Sequence, residues 1–413
     1  MQPKTFLRLF LILILASLAS SQAAFSATSV KKKKKTAATH VKKPAVAKSS
    51  RTVRARARTT RSTRYRSSLV SAASYRRTAA APLIKGGPWR EPTFADSAEG
   101  DWTEGEDPQV RKAAVEALGP YNGTVAVVDP YTGRVLALVN QKLALKSGFQ
   151  PCSTIKVVAA LAALSEGVIE RDTAIRIGRR TTFDLTNALA VSNNAYFAAL
   201  GNKLGFDRVS YYARLFGLGE RAGLNIDGEQ PGLLPQAPPD GGVGMMTSFG
   251  SGISLTPLEL ASLLSAIANG GTLYYLQHPR SSEEVANFVP RVKRRLDIQQ
   301  WIPEVKPGMM GAVEYGTARR AGVNNSETIL GKTGTCTDQR TPTHLGWFGS
   351  FNDVGRNKLV VVVLLTGGRP VNGPVASGVA GAVYRHLSQQ DYFAHSRPIS
   401  PSALVSTQIC CAR

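Results

Sequence analysis

The sequence predicts a mixed α/β (α+β) fold in which one sheet carries a helical lobe. Three observations predict it. Two β-branched runs lie on either side of residue 131, a long stretch of helical composition covers about 153–320, and three further strand-like runs precede a final helical segment. Residues 124–129 and 134–140 are joined by Pro130-Tyr131-Thr132-Gly133, a turn sequence, so they should form a hairpin. In the middle, 257–269 has helical periodicity and closes on Gly270-Gly271. Residues 328–335, 344–351 and 358–365 read as strands separated by polar or Gly/Asn-containing turns, and 375–387 as the terminal helix. No internal repeat is visible.

Charge divides the chain of 413 residues. Its formal net charge is +23, yet residues 1–90 hold 21 Lys+Arg and no acid, leaving 30 bases and 28 acids beyond them. A basic arm is therefore attached to a nearly neutral body, which is long enough to bury a substantial core. The composition excludes collagen-like, coiled-coil, multi-span membrane and wholly disordered classes. Four cysteines are too few for a disulfide-framework fold, and no CxxC pair points to zinc.

Residues 1–27 read as an address. Lys4 and Arg8 precede an apolar run over 9–15, and the small residues Ser21 and Ala23 fit a cleavage site. The reading is a secretory signal peptide, with an uncleaved membrane anchor as the alternative; the apolar core is short for a span of about 20 residues. Either places the body outside the cytoplasmic membrane, periplasmic or otherwise extracytoplasmic, where disulfides can form. Residues 28–105 read as a disordered basic arm and linker, too poor in large apolar side chains to offset ordering entropy. Its expected partners are envelope polyanions or an anionic membrane surface rather than nucleic acid, which export disfavours; a solvated tether is the alternative. The folded body is expected over 106–392 and a polar tail, with Cys410 and Cys411, over 393–413.

Three motifs carry the chemistry. Ser153 and Lys156 stand in Pro151-Cys152-Ser153-Thr154-Ile155-Lys156, at the start of an Ala/Leu/Val helix. At three residues apart they share one helix face. A serine hydroxyl needs a neighbouring base to become a nucleophile, and a half-buried lysine with a lowered pKa can be that base. The bland alternative is an N-cap serine beside a snorkelling lysine. Ser192-Asn193-Asn194 offers a second hydroxyl to relay a proton and an amide to hold a carbonyl, or else a helix cap. Lys332-Thr333-Gly334-Thr335 offers a cation and two hydroxyls for a carboxylate, with Gly334 admitting a substrate backbone on an edge strand; the alternative is a strand end with a surface lysine.

Each motif is modest alone. In this order they are the Ser-x-x-Lys, Ser-x-Asn and Lys-Thr-Gly set, and the chain resembles the transpeptidase domains of penicillin-binding proteins, relatives of the serine β-lactamases. The likeness extends through 149–166, Leu215-Phe216-Gly217-Leu218-Gly219, Gly228-Glu229, Pro231-Gly232, 248–271 and 344–351, so that it covers about 106–390.

The resemblance implies a five-stranded antiparallel sheet flanked by helices, plus a helical lobe, with the site in the cleft between them. It implies a peptidoglycan D,D-transpeptidase acting on D-Ala-D-Ala stem peptides through a serine acyl-enzyme and acylated by β-lactams. The alternatives are a serine β-lactamase or D,D-carboxypeptidase of the same fold, then a non-catalytic β-lactam sensor or wall-binding protein. In these roles Ser153 attacks, Lys156 is the base, Ser192 and Lys332 shuttle the proton, Asn194 holds a substrate amide, and Thr333 and Thr335 take the terminal carboxylate beside Gly334. The backbone N–H groups of Ser153 and Thr335 form the oxyanion hole, and no metal or organic cofactor is needed.

Departures from the family pattern are visible too. Cys152 and Ile155 replace the common Gly and Phe, the stretch from Ser153 to Ser192 is short, and neither a glycosyltransferase domain nor a long pedestal is read ahead of the body. The expectation is a catalytic domain carried by a basic arm. Cys152 and Cys336 occupy positions that resemble a disulfide pair beside the site of certain carbapenem-hydrolysing class A β-lactamases. A Cys152–Cys336 disulfide is the resulting expectation, with two free buried thiols as the alternative. His344 is expected to pack beside its strand, and Trp301 and Trp347 to line core or cleft.

Overall fold

The predicted hairpin forms: β1 (Gly123–Val128) and β2 (Val135–Val139) pair antiparallel with Val125 opposite Val139. Its turn closes because the Asp129 carboxylate accepts from the Tyr131 N–H at 2.9 Å and the Asp129 carbonyl from the Gly133 N–H at 2.9 Å. Gly133 takes φ +75° there, a conformation glycine adopts without strain. Two small ribbons follow in the middle of the chain, β3 (Ile175–Arg176) with β4 (Thr182–Phe183) and β5 (Thr272–Tyr274) with β6 (Val292–Arg295). The remaining strands are β7 (Ile329–Thr337), β8 (His344–Asn352) and β9 (Val360–Gly367). The large sheet runs β2-β1-β9-β8-β7, antiparallel at every pairing, so β2 and β7 are its edges.

This is a computed structural model describing residues 89–338, 340–353 and 357–394. The expected signal or anchor, the arm through residue 88, and the tail from residue 395 lie outside the described residues. Among those described, the helices in chain order are α1 (Pro108–Leu118), α2 (Gln141–Ala144), α3 (Lys156–Ser165), α4 (Leu185–Ala190), α5 (Asn194–Leu215), α6 (Gly242–Phe249), α7 (Pro257–Ala268), α8 (Ser282–Ala286), α9 (Ile302–Glu314), α10 (Arg319–Gly322) and α11 (Gly373–Ser388). None is long and apolar enough to cross a membrane.

Both faces of the sheet are covered, which is why β1, β2 and β9 are buried at every residue and read as unbroken apolar runs. On one face α1 and α11 pack through Val110, Ala114, Ala380 and Val383 against Val127, Val361 and Val363. On the other, α7 packs through Leu260 and Leu264 against Gly349, where a side chain would collide with both leucines. Helix α7 is buried along its whole length; it starts with Pro257 after Thr256, and Thr256 and Glu259 form a capping box. The Glu259 carboxylate also accepts from the N–H groups of Gly219 and Gly232, tying the loop ahead of α6 to this helix. Burial pushes its pKa up to about 7 against those bonds.

The body begins earlier than the sequence reading placed it. Residues 89–105, assigned to the linker, lie against the sheet. Phe94 bridges to Tyr121, and the Asp101 carboxylate accepts from the N–H groups of Asn140 and Gln141, each at 2.8 Å. Glu106 accepts from the Leu138 N–H at 2.8 Å, and Arg111 reaches Asp101 at 2.8 Å and Glu106 at 3.3 Å. The cause is the sheet edge: β2 has no outer partner strand, so carboxylates take its donors. Helix α5 runs from Asn194 to Leu215 with a break at Gly205 (φ +77°).

Candidate active site

Ser153 lies in a 3₁₀ turn, Cys152–Ile155, that feeds directly into α3 at Lys156. It is thus on a tight turn before the helix. Every residue of α3 from Lys156 through Leu164 is buried, so the lysine is drawn into an apolar lobe together with its helix. The turn is fixed from three sides. The Thr154 hydroxyl donates to the Pro151 carbonyl at 2.7 Å, the Trp347 indole N–H to the Gln150 carbonyl at 3.0 Å, and the Gln150 N–H to the Asp338 carboxylate at 3.1 Å.

The three motifs converge around the Ser192 hydroxyl, which lies between two amines. Lys156 Nζ lies 2.9 Å from Ser153 Oγ, 3.0 Å from Ser192 Oγ, 2.8 Å from the Ser192 carbonyl and 2.5 Å from Asn194 Oδ1. Lys332 Nζ reaches the other side of Ser192 Oγ at 2.8 Å and the Thr333 carbonyl at 3.0 Å. Burial lowers the Lys156 pKa to about 7. It lowers that of Lys332 well below the ordinary lysine range, with the Lys156 charge as a second cause.

The free amine of Lys156 has two N–H groups and one lone pair. The Ser192 carbonyl and Asn194 Oδ1 can only accept, so they take the two donors and leave the lone pair to the serine hydroxyls. That is the arrangement a base needs, and it gives Asn194 an orienting contact that sequence reading missed. Ser192 sits on the turn after α4 with φ +59°, while Asn193, not Ser192, caps α5 through the Tyr196 N–H at 2.9 Å. The cap alternative for Ser192 is thereby replaced.

On the edge strand β7, Lys332, Gly334 and Cys336 face the side of the Cys152–Ile155 turn and Ser192. A Cβ on Gly334 would stand 2.9 Å from the Pro151 carbonyl and 3.2 Å from Cys152 Cβ, so the glycine is required by the turn itself as well as by any incoming backbone. The Cys152 and Cys336 sulfurs are at bonding distance, with Cα atoms 5.6 Å apart, inside the span a disulfide needs. Thr333 and Thr335 point the other way. The Thr335 hydroxyl accepts from the Gly373 N–H, at the start of α11, at 2.7 Å, and Thr333 Oγ1 lies 2.5 Å from Thr317 Oγ1. Thr317 and Gly373 carried no sequence signal, since each meets the strand from a distant segment.

The remaining candidates stay outside the chemistry. His344 Nδ1 lies 3.2 Å from the Thr337 hydroxyl and its ring packs near Trp89; Trp347 is fully buried and Trp301 partly so, against the core. Among the described residues no three His, Cys, Asp or Glu side chains are grouped to hold a metal.

A serine and lysine at a helix start, a second serine between two lysines, and a Lys-Thr-Gly edge strand define a penicillin-recognising serine fold. The chain belongs to the penicillin-binding protein transpeptidase domain family, whose model matches residues 123–389. It is 28% identical to the stage V sporulation protein D of Bacillus subtilis (strain 168) over 309 residues, 65% of this chain and 48% of that one. It is 27% identical to the peptidoglycan D,D-transpeptidase PbpA of Mycobacterium tuberculosis (strain ATCC 25618 / H37Rv) over 351 residues, 67% of this chain and 70% of that one. The chain thus spans about half the length of the first relative. In fold it is similar to a peptidoglycan glycosyltransferase structure from Burkholderia ambifaria, with TM-score 0.59, 20% identity, and 72% and 100% of the two chains covered.

Proposed function

We propose that this protein is a peptidoglycan D,D-transpeptidase that works through an acyl-enzyme on Ser153. The observation that carries the reading is the hydrogen-bonded chain Ser153–Lys156–Ser192–Lys332, with Lys156 poised to be a free amine near neutral pH. In this reading the Ser153 oxygen attacks the carbonyl carbon of the penultimate D-Ala and its proton passes to Lys156 Nζ. The tetrahedral oxyanion is held by the N–H groups of Ser153 and Thr335. It collapses with cleavage of the C–N bond, the departing D-Ala nitrogen receiving a proton through Ser192 from the lysine pair. An amine from a second stem peptide then attacks the ester, loses its proton to the same amine, and releases Ser153. Lys332, Thr333 and Thr335 hold the terminal carboxylate, which by its charge favours a protonated Lys332. A β-lactam enters as a mimic of the D-Ala-D-Ala end and stops at the ester.

The cysteine pair favours a second reading, a β-lactamase of the same fold, through its likeness to the class A enzymes with cysteines at these positions. Among the described residues no carboxylate hydrogen-bonds Ser153, Lys156 or Ser192; Glu166, at the far end of α3, is engaged by Arg208 and Tyr212. Without a carboxylate beside the ester to activate a water, deacylation by water should be slow, which favours the transpeptidase. We also propose that Cys152 and Cys336 are covalently linked in an exported, extracytoplasmic protein, and that the basic arm holds it to anionic envelope surfaces.

Labelling the full chain with a fluorescent penicillin and following intact mass over time, with Ser153→Ala as control, tests the reading. A Ser153-dependent adduct that persists for many minutes is expected. An adduct that clears with hydrolysis of the drug would establish the β-lactamase instead, and no adduct on folded protein would end both.

A further inference from the structure

We infer that Thr317 is a positioning residue of the carboxylate subsite, joining the Ser-x-Asn turn to the Lys-Thr-Gly strand and fixing the hydroxyl proton that Thr333 shares with it. The inference rests on the acyl-transfer reading above.

Thr317 stands on the turn between α9 and α10, and that turn is rigid. The Gly316 N–H donates to the Gly311 carbonyl at 2.8 Å and the Ala318 N–H to the Ala312 carbonyl at 2.7 Å. A Cβ on Gly316 would overlap the Ala190 carbonyl, so glycine there is what lets the turn reach the end of α4. Thr317 makes two contacts from that place. Its backbone N–H donates to the Ala190 carbonyl at 3.2 Å, two residues before Ser192. Its hydroxyl lies 2.5 Å from that of Thr333, the residue after Lys332. One residue therefore binds both the turn that presents Ser192 and the strand that presents Lys332.

The hydroxyl pair has two protons, and the bond between the oxygens uses one. Whichever oxygen donates, a single proton remains for an incoming anion, and the bond behind it polarises that proton. Thr333 is 4% exposed and held in place, whereas Thr317 is half-buried at the mouth of the pair. A carboxylate arriving at β7 would thus meet one preorganised donor made of two side chains. Loss of the Thr317 hydroxyl leaves Thr333 with a freely rotating proton and an unfilled lone pair.

The test compares full-length wild type, Thr317→Val and Thr317→Ser in acylation of Ser153 by benzylpenicillin and by its carboxylate methyl ester. Thr317→Val should slow acylation by the acid roughly 10–150-fold, the range of one hydrogen bond to a charged group. The loss should fall on the binding constant, with the limiting acylation rate kept, while the ester reacts as with wild type. Thr317→Ser should return the acid rate to within about twofold. Equal slowing of acid and ester, or a lowered Tm with no acid-selective loss, would make Thr317 merely structural and overturn the inference. So would a Thr317→Val protein indistinguishable from wild type. Absence of any Ser153 adduct in wild type is a separate result, which removes the acyl-transfer reading and this inference with it.

Discussion

Lys156 owes its lowered pKa to the helix it begins. An ammonium in the first turn of a helix that is buried on every side is poorly solvated, so its pKa falls to about 7. The sign for catalysis is direct: only the deprotonated amine can accept the Ser153 proton. The second-order acylation rate should rise about tenfold per pH unit below about 7 and level off above it; a flat profile from pH 5 to 9 would refute the assignment of Lys156 as base. The sign for stability is equally definite. Below about 7 the folded protein carries the buried charge, whereas above it the folded amine is neutral and the unfolded chain remains protonated, so stability rises with pH up to the ordinary lysine range. Lys156→Met should lower acylation by roughly 10²–10⁴-fold. It should nevertheless be more stable than wild type by about 1–3 kcal/mol near pH 6–7 in urea unfolding. That gap should shrink toward pH 10; a gap independent of pH would mean that the lysine is not the source. Ser153, Lys156, Ser192 and Lys332 were legible because catalytic residue types recur at spacings that the fold brings together. Thr317 and the Asn194 contact to Lys156 were not, because no spacing in one segment encodes a meeting of two.

At the scale of elements, the 3₁₀ turn and strand β7 form one unit, and Cys152 explains a departure from the family pattern. Cys152 has φ +51°, a region where glycine is free and other residues are strained by roughly 1 kcal/mol. The common glycine before the nucleophile fits that backbone directly. A cysteine there is strained, and the proposed disulfide to Cys336, across a sequence separation of 184, would offset the strain by restricting the unfolded chain. Reduction should lower Tm by roughly 5–10 °C in a protein of this size. Acylation should survive, since Asp338 and Trp347 still hold Gln150 against β7 and β8. With Cys336→Ser in place, Cys152→Gly should exceed Cys152→Ser in stability by about 1 kcal/mol. Equal stability of the two double variants in urea would show that the backbone relaxes and the strain is absent. Strands β1, β2 and β9 were legible from their Val-rich runs, β7 and β8 from the polar and Gly/Asn-containing turns that bound them, and α7 from Thr256-Pro257 with Glu259. The ribbons were not: β3 and β4 have two residues each, and β6 is Val-Lys-Arg-Arg, whose polarity hides a strand that covers little core.

At the scale of the molecule, the two edges of the large sheet have different fates. Edge β7 has no outer partner strand among the described residues, whereas edge β2 is closed by Asp101 and Glu106, which also neutralise the mostly buried Arg111. Sequence reading set the body's start at 106 because strand and helix signals fade before it, although acids reappear at Glu91 and mark the change more faithfully. A protein trimmed to begin at residue 89 should therefore keep wild-type Tm and Ser153 acylation while losing salt-sensitive retention on vesicles of anionic lipid. One trimmed to begin at residue 107 removes both carboxylates, leaves Arg111 without its anionic partners and bares the N–H groups of Leu138, Asn140 and Gln141. Breaking a buried pair in this way costs about 3–5 kcal/mol, so Tm should fall by roughly 10 °C. Size-exclusion chromatography should show association through the opened strand edge. If the shorter protein remained monomeric with unchanged Tm, residues 89–106 would be an ornament of the body and not the closure of its sheet.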